Sequence, residues 1–155
     1  MNFLMDVMAQ NERNSTKSPI SMSGTRDSAA LLLRLVLGVL IGFHGIAKLG
    51  AGPGMVLDLV LKAGLPSAIG YLVYVGEIVA PLLLIVGLWT RAAAIVIVIN
   101  MLVAVLLVHT GQLFLLSKNG GYALELQAMY LIVAVAIALL GAGRFSLGGT
   151  TGRWN

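Results

Sequence analysis

The sequence predicts an all-α fold, a four-helix transmembrane bundle with a short interfacial helix between helices one and two. Three observations carry this reading. Of 155 residues, 59% are hydrophobic and only 10% are charged, less than half the charge of an ordinary soluble domain. The mean hydropathy is +0.97. The apolar residues gather in four runs, each near the ~20 residues a helix needs to cross a hydrocarbon core ~30 Å thick. None of the runs alternates like a barrel strand, and only helices and closed barrels satisfy their backbone in lipid. Such a composition excludes a soluble enzyme and a disordered chain. The excess of 10 Lys and Arg over 6 Asp and Glu reads as loops held by anionic lipid, not as a nucleic-acid surface.

Helix one is expected over Ala29 to Ala47, interrupted by Arg34 and His44. Residues 1–28 before it are polar and rich in Asn, Ser and Thr, which predicts a mobile cytoplasmic tail. They are not a signal peptide, because the apolar patch from Met1 to Met8 is short and contains Asp6. Translation from Met22 is an alternative beginning. At about 100° per residue, Arg34, Gly38, Gly45 and Lys48 share one face of this helix, with His44 at its border. Gly38-x-x-x-Gly42 on the adjoining side is expected to admit a neighbouring backbone.

Gly50, Gly52, Pro53 and Gly54 then break the chain. The segment Met55 to Leu65 is too short to span. It places Asp58 and Lys62 on one face and Met55, Val56, Leu59, Val60 and Ala63 on the other, as in a helix lying at a membrane surface. Helix two is expected over Ile69 to Trp89. Gly70, Tyr74, Glu77, Pro81, Leu84 and Leu88 form a 4-3-4-3-4 seam along it. Pro81 offers no N–H to the carbonyl of Glu77, so a kink is expected there. Trp89-Thr90-Arg91 alone leads into helix three, Ala92 to Thr110, which forces a tight antiparallel hairpin. Asn100 and His109 lie about half a turn out of phase on helix three, and the sequence does not say which faces the bundle. Helix four is expected over Ala123 to Leu140, with Glu125 near its start. The membrane domain thus covers residues 29–147, and residues 148–155 form a short cytoplasmic tail.

Orientation follows from the Lys and Arg near the helix ends. With the N-terminus inside, the inner side holds Arg13, Lys17, Arg26, Arg91, Arg144 and Arg153. The outer side holds only Lys48, Lys62 and Lys118. Both termini are therefore expected in the cytoplasm.

A charge at bilayer depth costs several kcal/mol unless it is paired or hydrated. In this orientation His44, Lys48, Glu77, His109 and Glu125 fall in one outer layer although they come from four helices. With Tyr74 they form a candidate ligand-binding site. Arg34, Arg91 and Arg144 lie toward the inner side as structural charges. Simpler roles stand beside the functional ones. Lys48 can snorkel as an anchor, His109 can be an interfacial residue, and Asn100 can hydrogen-bond between helices. Glu77 is the hardest to explain away, being acidic, deep and on a packed seam. The sequence offers no set of metal ligands. Its 0 cysteines exclude disulfides, thiol redox chemistry and iron–sulfur ligation.

Leu33-Arg34-Leu35, Gly38 and His44-Gly45-x-x-Lys48-Leu49 resemble the first helix of the DoxX family. Glu77 followed by Gly87-Leu88-x-Thr90-Arg91 is similar to its second helix and turn. Gly120-Gly121 with Glu125, and Gly141-x-Gly143-Arg144-x-Ser146-Leu147, resemble its last helix and exit. The family's acid follows the glycine pair more closely than Glu125 does, and its closing Ser-Leu-Asp here reads Ser146-Leu147-Gly148. The resemblance implies a four-helix protein of a bacterial or archaeal cytoplasmic membrane. It also implies a link to quinone-coupled redox systems, such as thiosulfate:quinone oxidoreductase, and to oxidative-stress complexes.

Three classes of function remain open. One is a redox subunit that binds a quinone or quinol in the outer layer, using His44, Lys48 and Glu77 with Tyr74 or His109 opposite, and taking electrons from a soluble or membrane partner protein. A variant places a b-type haem between His44 and His109. The second is a non-enzymatic scaffold whose charges pair internally, and which self-associates or recruits partners. The third is a small-solute or proton conduit between Arg34 and the Glu77 layer.

Overall fold

The computed structural model describes residues 22–155. Its first helix, α1 (Met22–Ala51), begins about two turns before the apolar run. The expected polar tail is therefore helical from Met22 onward, while its residues 1–21, including Arg13 and Lys17, lie outside the described residues. The extension has a physical reason. Asp27 Oδ1 accepts the Arg144 N–H at 3.1 Å, and Gly143 packs against Asp27 and Ala30, so the segment leaving the last helix braces this turn.

The short helix α2 (Gly54–Lys62) follows, with Val60 buried and Asp58 exposed. The next span, α3 (Ser67–Val86), is a composite. It opens with a 3₁₀ turn over Ser67–Tyr71 and contains a π turn over Val75–Val79 before the α-helical stretch Ala80–Val86. The irregularity expected at Pro81 is thus a widened turn just ahead of it. Pro81 has no N–H for the Glu77 carbonyl in α geometry, nor for the Gly76 carbonyl in π geometry. Gly87 closes α3 at φ 72° and Trp89 sits at φ 49°, which reverses the chain into α4 (Thr90–Val108). A 3₁₀ turn (Thr110–Gln112) and a loop lead to α5 (Glu125–Leu140).

Three of these helices are long and apolar enough to cross a membrane, and α5 is a shorter apolar helix. At 1.5 Å per residue α5 reaches only ~24 Å. The four long elements pack as one bundle around Leu37, Ile41, Leu84, Ile97, Met101 and Ile137. Outward, Leu32, Val36, Phe43, Ile46, Ile99, Leu106, Ile132 and Leu139 are exposed. So much exposed apolar surface fits a protein whose solvent is lipid. No strand occurs among the described residues, only an isolated bridge between Leu116 and Tyr122.

Two close approaches set α1 against α3. A Cβ at Gly38 would lie 3.0 Å from the Pro81 carbonyl oxygen, and one at Gly45 would fall onto the Glu77 carbonyl. Gly42 meets nothing within 4 Å. The expected Gly38-x-x-x-Gly42 contact is therefore replaced by Gly38 and Gly45, two turns apart. On α3 the expected seam is buried at Gly70, Glu77, Pro81 and Leu84, whereas Leu88 lies beyond the helix end and is exposed.

At the far end from His44, the chain after α5 folds back under the bundle. Arg34 is only 1% exposed. Its Nη1 donates to the Ala142 carbonyl, and its Nη2 to the Phe145 carbonyl at 2.8 Å. Arg91 Nη1 donates to the Ala138 carbonyl at 3.2 Å, a favourable cation at a helix C-terminus. Asn155 Oδ1 accepts from the Thr90 amide and hydroxyl at 3.3 and 3.2 Å. Of residues 148–155, expected as a tail, Gly148 and Asn155 are held against the α3–α4 turn, Gly148 N–H donating to the Gly87 carbonyl at 3.0 Å, while residues 150–154 are exposed. The Arg144 side chain is exposed.

Candidate functional site

The sequence spaces Gly45 and Lys48 one turn apart on α1, so the close approach at Gly45 delivers Lys48 to the π turn of α3. There the Lys48 ammonium pairs with Glu77 Oε1. The Glu77 side chain is 5% exposed and that of Lys48 34%, so the acid is the buried member and the amine reaches the rim. Tyr74 donates its hydroxyl to the Lys48 backbone carbonyl at 3.4 Å, which ties α3 to the end of α1. The Glu77 backbone is held as firmly. Its carbonyl faces the Gly45 Cα, where only a C–H group fits, a weak donor that partly compensates for the N–H missing at Pro81. A cation about a third exposed beside a buried acid keeps part of its hydration, which limits what the pair adds to stability.

Ile41, His44, Lys48, Glu77, Met101, Ala104, His109, Leu126, Gln127 and Tyr130 line one cleft of about 130 Å³ between α1, α3, α4 and α5. His44 stands edge-on to the Tyr130 ring, centroids 6.1 Å apart. His109 Nδ1 lies 3.1 Å from Gln112 Oε1, and its Nε2 lies 3.3 Å from Gln127 Nε2. Both ring nitrogens of His109 thus have a glutamine side chain as partner, and the tautomer sets which of them donates. Ile41, Met101, Ala104 and Leu126 are apolar and the other six lining residues carry polar groups, so the cleft pairs a greasy wall with a strongly polar one.

Of the six residues singled out from sequence, His44, Lys48, Glu77 and His109 line this cleft. Tyr74 lies behind it. Glu125 does not line it: it is exposed at the start of α5, with Oε2 close against Gly121, where a carboxylate favours the helix N-terminus. Sequence reasoning missed Gln127 and Tyr130. The signal was present as two polar-tipped residues three apart in an apolar helix, which places them on one face. Arg34, Arg91 and Arg144 all lie at the opposite end from the cleft. No group of three His, Cys, Asp or Glu residues that could hold a metal occurs among the described residues.

Asn100 packs against the same π turn from the other side. A Cβ at Gly76 would stand 2.5 Å from Asn100 Cγ. The turn bearing Glu77 is thus gripped between two helices, at Gly45 by α1 and at Gly76 by α4.

Comparison with known proteins places these features in context. The family model described as DoxX matches residues 29–110. A Haemophilus influenzae protein named "Uncharacterized protein" is 34% identical, with 74% of this chain and 84% of that protein covered. A Bacillus subtilis protein named "Putative oxidoreductase CatD" is 26% identical over 71% of this chain and 81% of its own length. No solved structure matches the chain significantly.

Proposed function

The chain belongs to the DoxX family, and from that premise we propose that it is a subunit of a quinone-coupled redox or oxidative-stress complex in the cytoplasmic membrane, with the cleft receiving a quinone head group. The observation that carries the reading is the Lys48–Glu77 pair, a buried acid whose cationic partner stands at the rim of a cleft with one apolar wall. A quinone needs a flat apolar slot for its ring and a donor for each carbonyl oxygen. Ile41, Met101, Leu126 and the Tyr130 ring supply the walls, and Lys48 is a donor at the rim. His44 on the cleft is a group able to exchange protons at those oxygens, and Glu77 holds Lys48 in place beside them. A volume of about 130 Å³ is well below the ~300–1,000 Å³ of sites that enclose drug-sized ligands. The slot therefore takes a ring and leaves an isoprenoid tail to run out between the helices into lipid. Electrons come from a partner protein. The name of the Bacillus subtilis relative supports an oxidoreductase setting.

Arg26, Arg91, Arg144 and Arg153 lie toward the end away from the cleft, and Lys48, Lys62 and Lys118 toward the cleft end. This imbalance supports an orientation with both termini in the cytoplasm and the cleft in the outer half. The features do not favour a b-type haem between His44 and His109. Both His109 ring nitrogens are hydrogen-bonded, and the cleft is small.

The test is titration of the purified protein with a short-chain benzoquinone by calorimetry. Glu77→Gln keeps the shape and removes the charge. It is expected to abolish binding while the protein still inserts and folds. Unaltered affinity in both Glu77→Gln and His44→Ala would sink the assignment. A scaffold, favoured by the way the ion pair ties α1 to α3, would instead show no quinone binding in the native protein and a loss of stability in Glu77→Gln.

A further inference from the structure

Three buried side-chain polar atoms among the described residues lack a hydrogen-bond partner: Arg34 Nε at the far end of the bundle, and Glu77 Oε2 and Asn100 Nδ2 near the cleft end. The latter two sit one on α3 and one on α4. They belong to elements in direct contact, since the Asn100 amide lies against Gly76, the residue before Glu77. Lys48 takes only Oε1. The second oxygen of the carboxyl is buried and has no hydrogen-bond partner.

An orphan buried polar atom costs about as much as a lost hydrogen bond, and native interiors rarely keep two within one neighbourhood. The pair here is complementary, an acceptor on the acid and a donor on the amide. The π turn that bears Glu77 carries an extra residue per loop, which pushes its backbone outward beside Asn100.

We propose that the bundle interior holds a site for a single water molecule, bridging Glu77 Oε2 and Asn100 Nδ2, and that Asn100 is thereby a positioning residue for Glu77. Water suits the site because it donates and accepts, and so serves either orientation of the amide and either protonation state of the acid. Lys48, Glu77, the water and Asn100 then form one polar chain across α1, α3 and α4, running from the cleft rim into the core. It fixes the carboxyl plane through both oxygens, which a single ion pair to a partly exposed lysine does not. The site does not depend on what the cleft binds, so it stands or falls separately from the quinone reading.

A structure of the full chain in lipid nanodiscs, at a resolution that shows ordered solvent, tests this directly. Solvent density within hydrogen-bond distance of both Glu77 Oε2 and Asn100 Nδ2 is expected, and its loss in Asn100→Leu. Absence of that density in the native protein, or either atom turned to another partner, overturns the proposal. A double-mutant cycle of Asn100→Leu with Glu77→Leu, which unlike Gln leaves no polar atom for a bridging water, gives an independent readout. The two changes are expected to couple at least about fivefold in the unfolding equilibrium, and Asn100→Ser, small and polar enough to keep a bridging water, is expected to restore most of the coupling. Additive effects, or equal behaviour of Ser and Leu at this position, overturn the proposal as well.

Discussion

Gly45→Ala puts the helix packing to a sharp test. The added Cβ would fall onto the Glu77 carbonyl oxygen, 2.6 Å from Ile78 Cγ1 and 2.8 Å from the Glu77 carbonyl carbon. Carbon atoms attract best at about 3.5–4.0 Å, so α1 must retreat by roughly 1 Å. Ile78 can rotate away, but the Glu77 backbone cannot. Overpacking of this kind costs about 1–3 kcal/mol. An internal control is available in Gly42→Ala, one turn earlier, where a Cβ meets nothing within 4 Å. Both substitutions gain the same roughly 0.5–1 kcal/mol of helix preference, so the difference between them isolates the packing term. Followed by circular dichroism in one detergent, Gly45→Ala is expected to melt about 2–12 °C below Gly42→Ala, taking ~2–4 °C per kcal/mol for a chain of this size. The same retreat pulls Lys48 from Glu77, so the variant is also expected to lose cleft binding. Equal melting temperatures for the two variants would refute the argument that Gly45 sets the approach of α1 to α3.

The other predictions concern the far end of the bundle and the orientation. Arg34→Met keeps the length of the side chain but removes the donors to the Ala142 and Phe145 carbonyls. It is expected to destabilise by about 1–3 kcal/mol for each carbonyl left buried and unpaired. It should also speed hydrogen exchange and proteolysis in residues 141–149, and unchanged protection there would remove Arg34 as the anchor. Because the chain contains no cysteine, Lys118→Cys introduces a unique thiol in the α4–α5 loop. An impermeant maleimide added to intact cells is expected to label it, and labelling only after the cells are opened would reverse the proposed orientation.

Much of the site was legible because charge is conspicuous in an apolar chain. Glu77 stands alone in its run, and Lys48 and His44 interrupt theirs, so burial cost alone marks them. Depth counting along each helix then brings His44, Lys48, Glu77 and His109 to a common level. Glu125 shares that level but not the cleft, because depth says nothing about which way a residue at a helix end faces. Gln127 and Tyr130 escaped because uncharged polar groups carry a weaker penalty and stand out less. Gly42 looked like the packing glycine by its four-residue spacing from Gly38. The contact instead recurs at seven residues, since α1 meets α3 at Pro81 and again at the π turn.

The sequence by itself determined the number and order of apolar segments, the hairpin at Trp89-Thr90-Arg91 and the residues that could not rest unpaired in lipid. These follow from transfer free energies, which add residue by residue and need no knowledge of neighbours. Only the tertiary structure decided the partners: Lys48 on Glu77, Gln127 on His109, Asn100 on Gly76, and Arg34 under the carbonyls that follow α5. Partner choice depends on the rotation of each helix about its axis. In this bundle that rotation is set by two glycine contacts and by a π turn that shifts the register of α3 midway, quantities that no single segment contains.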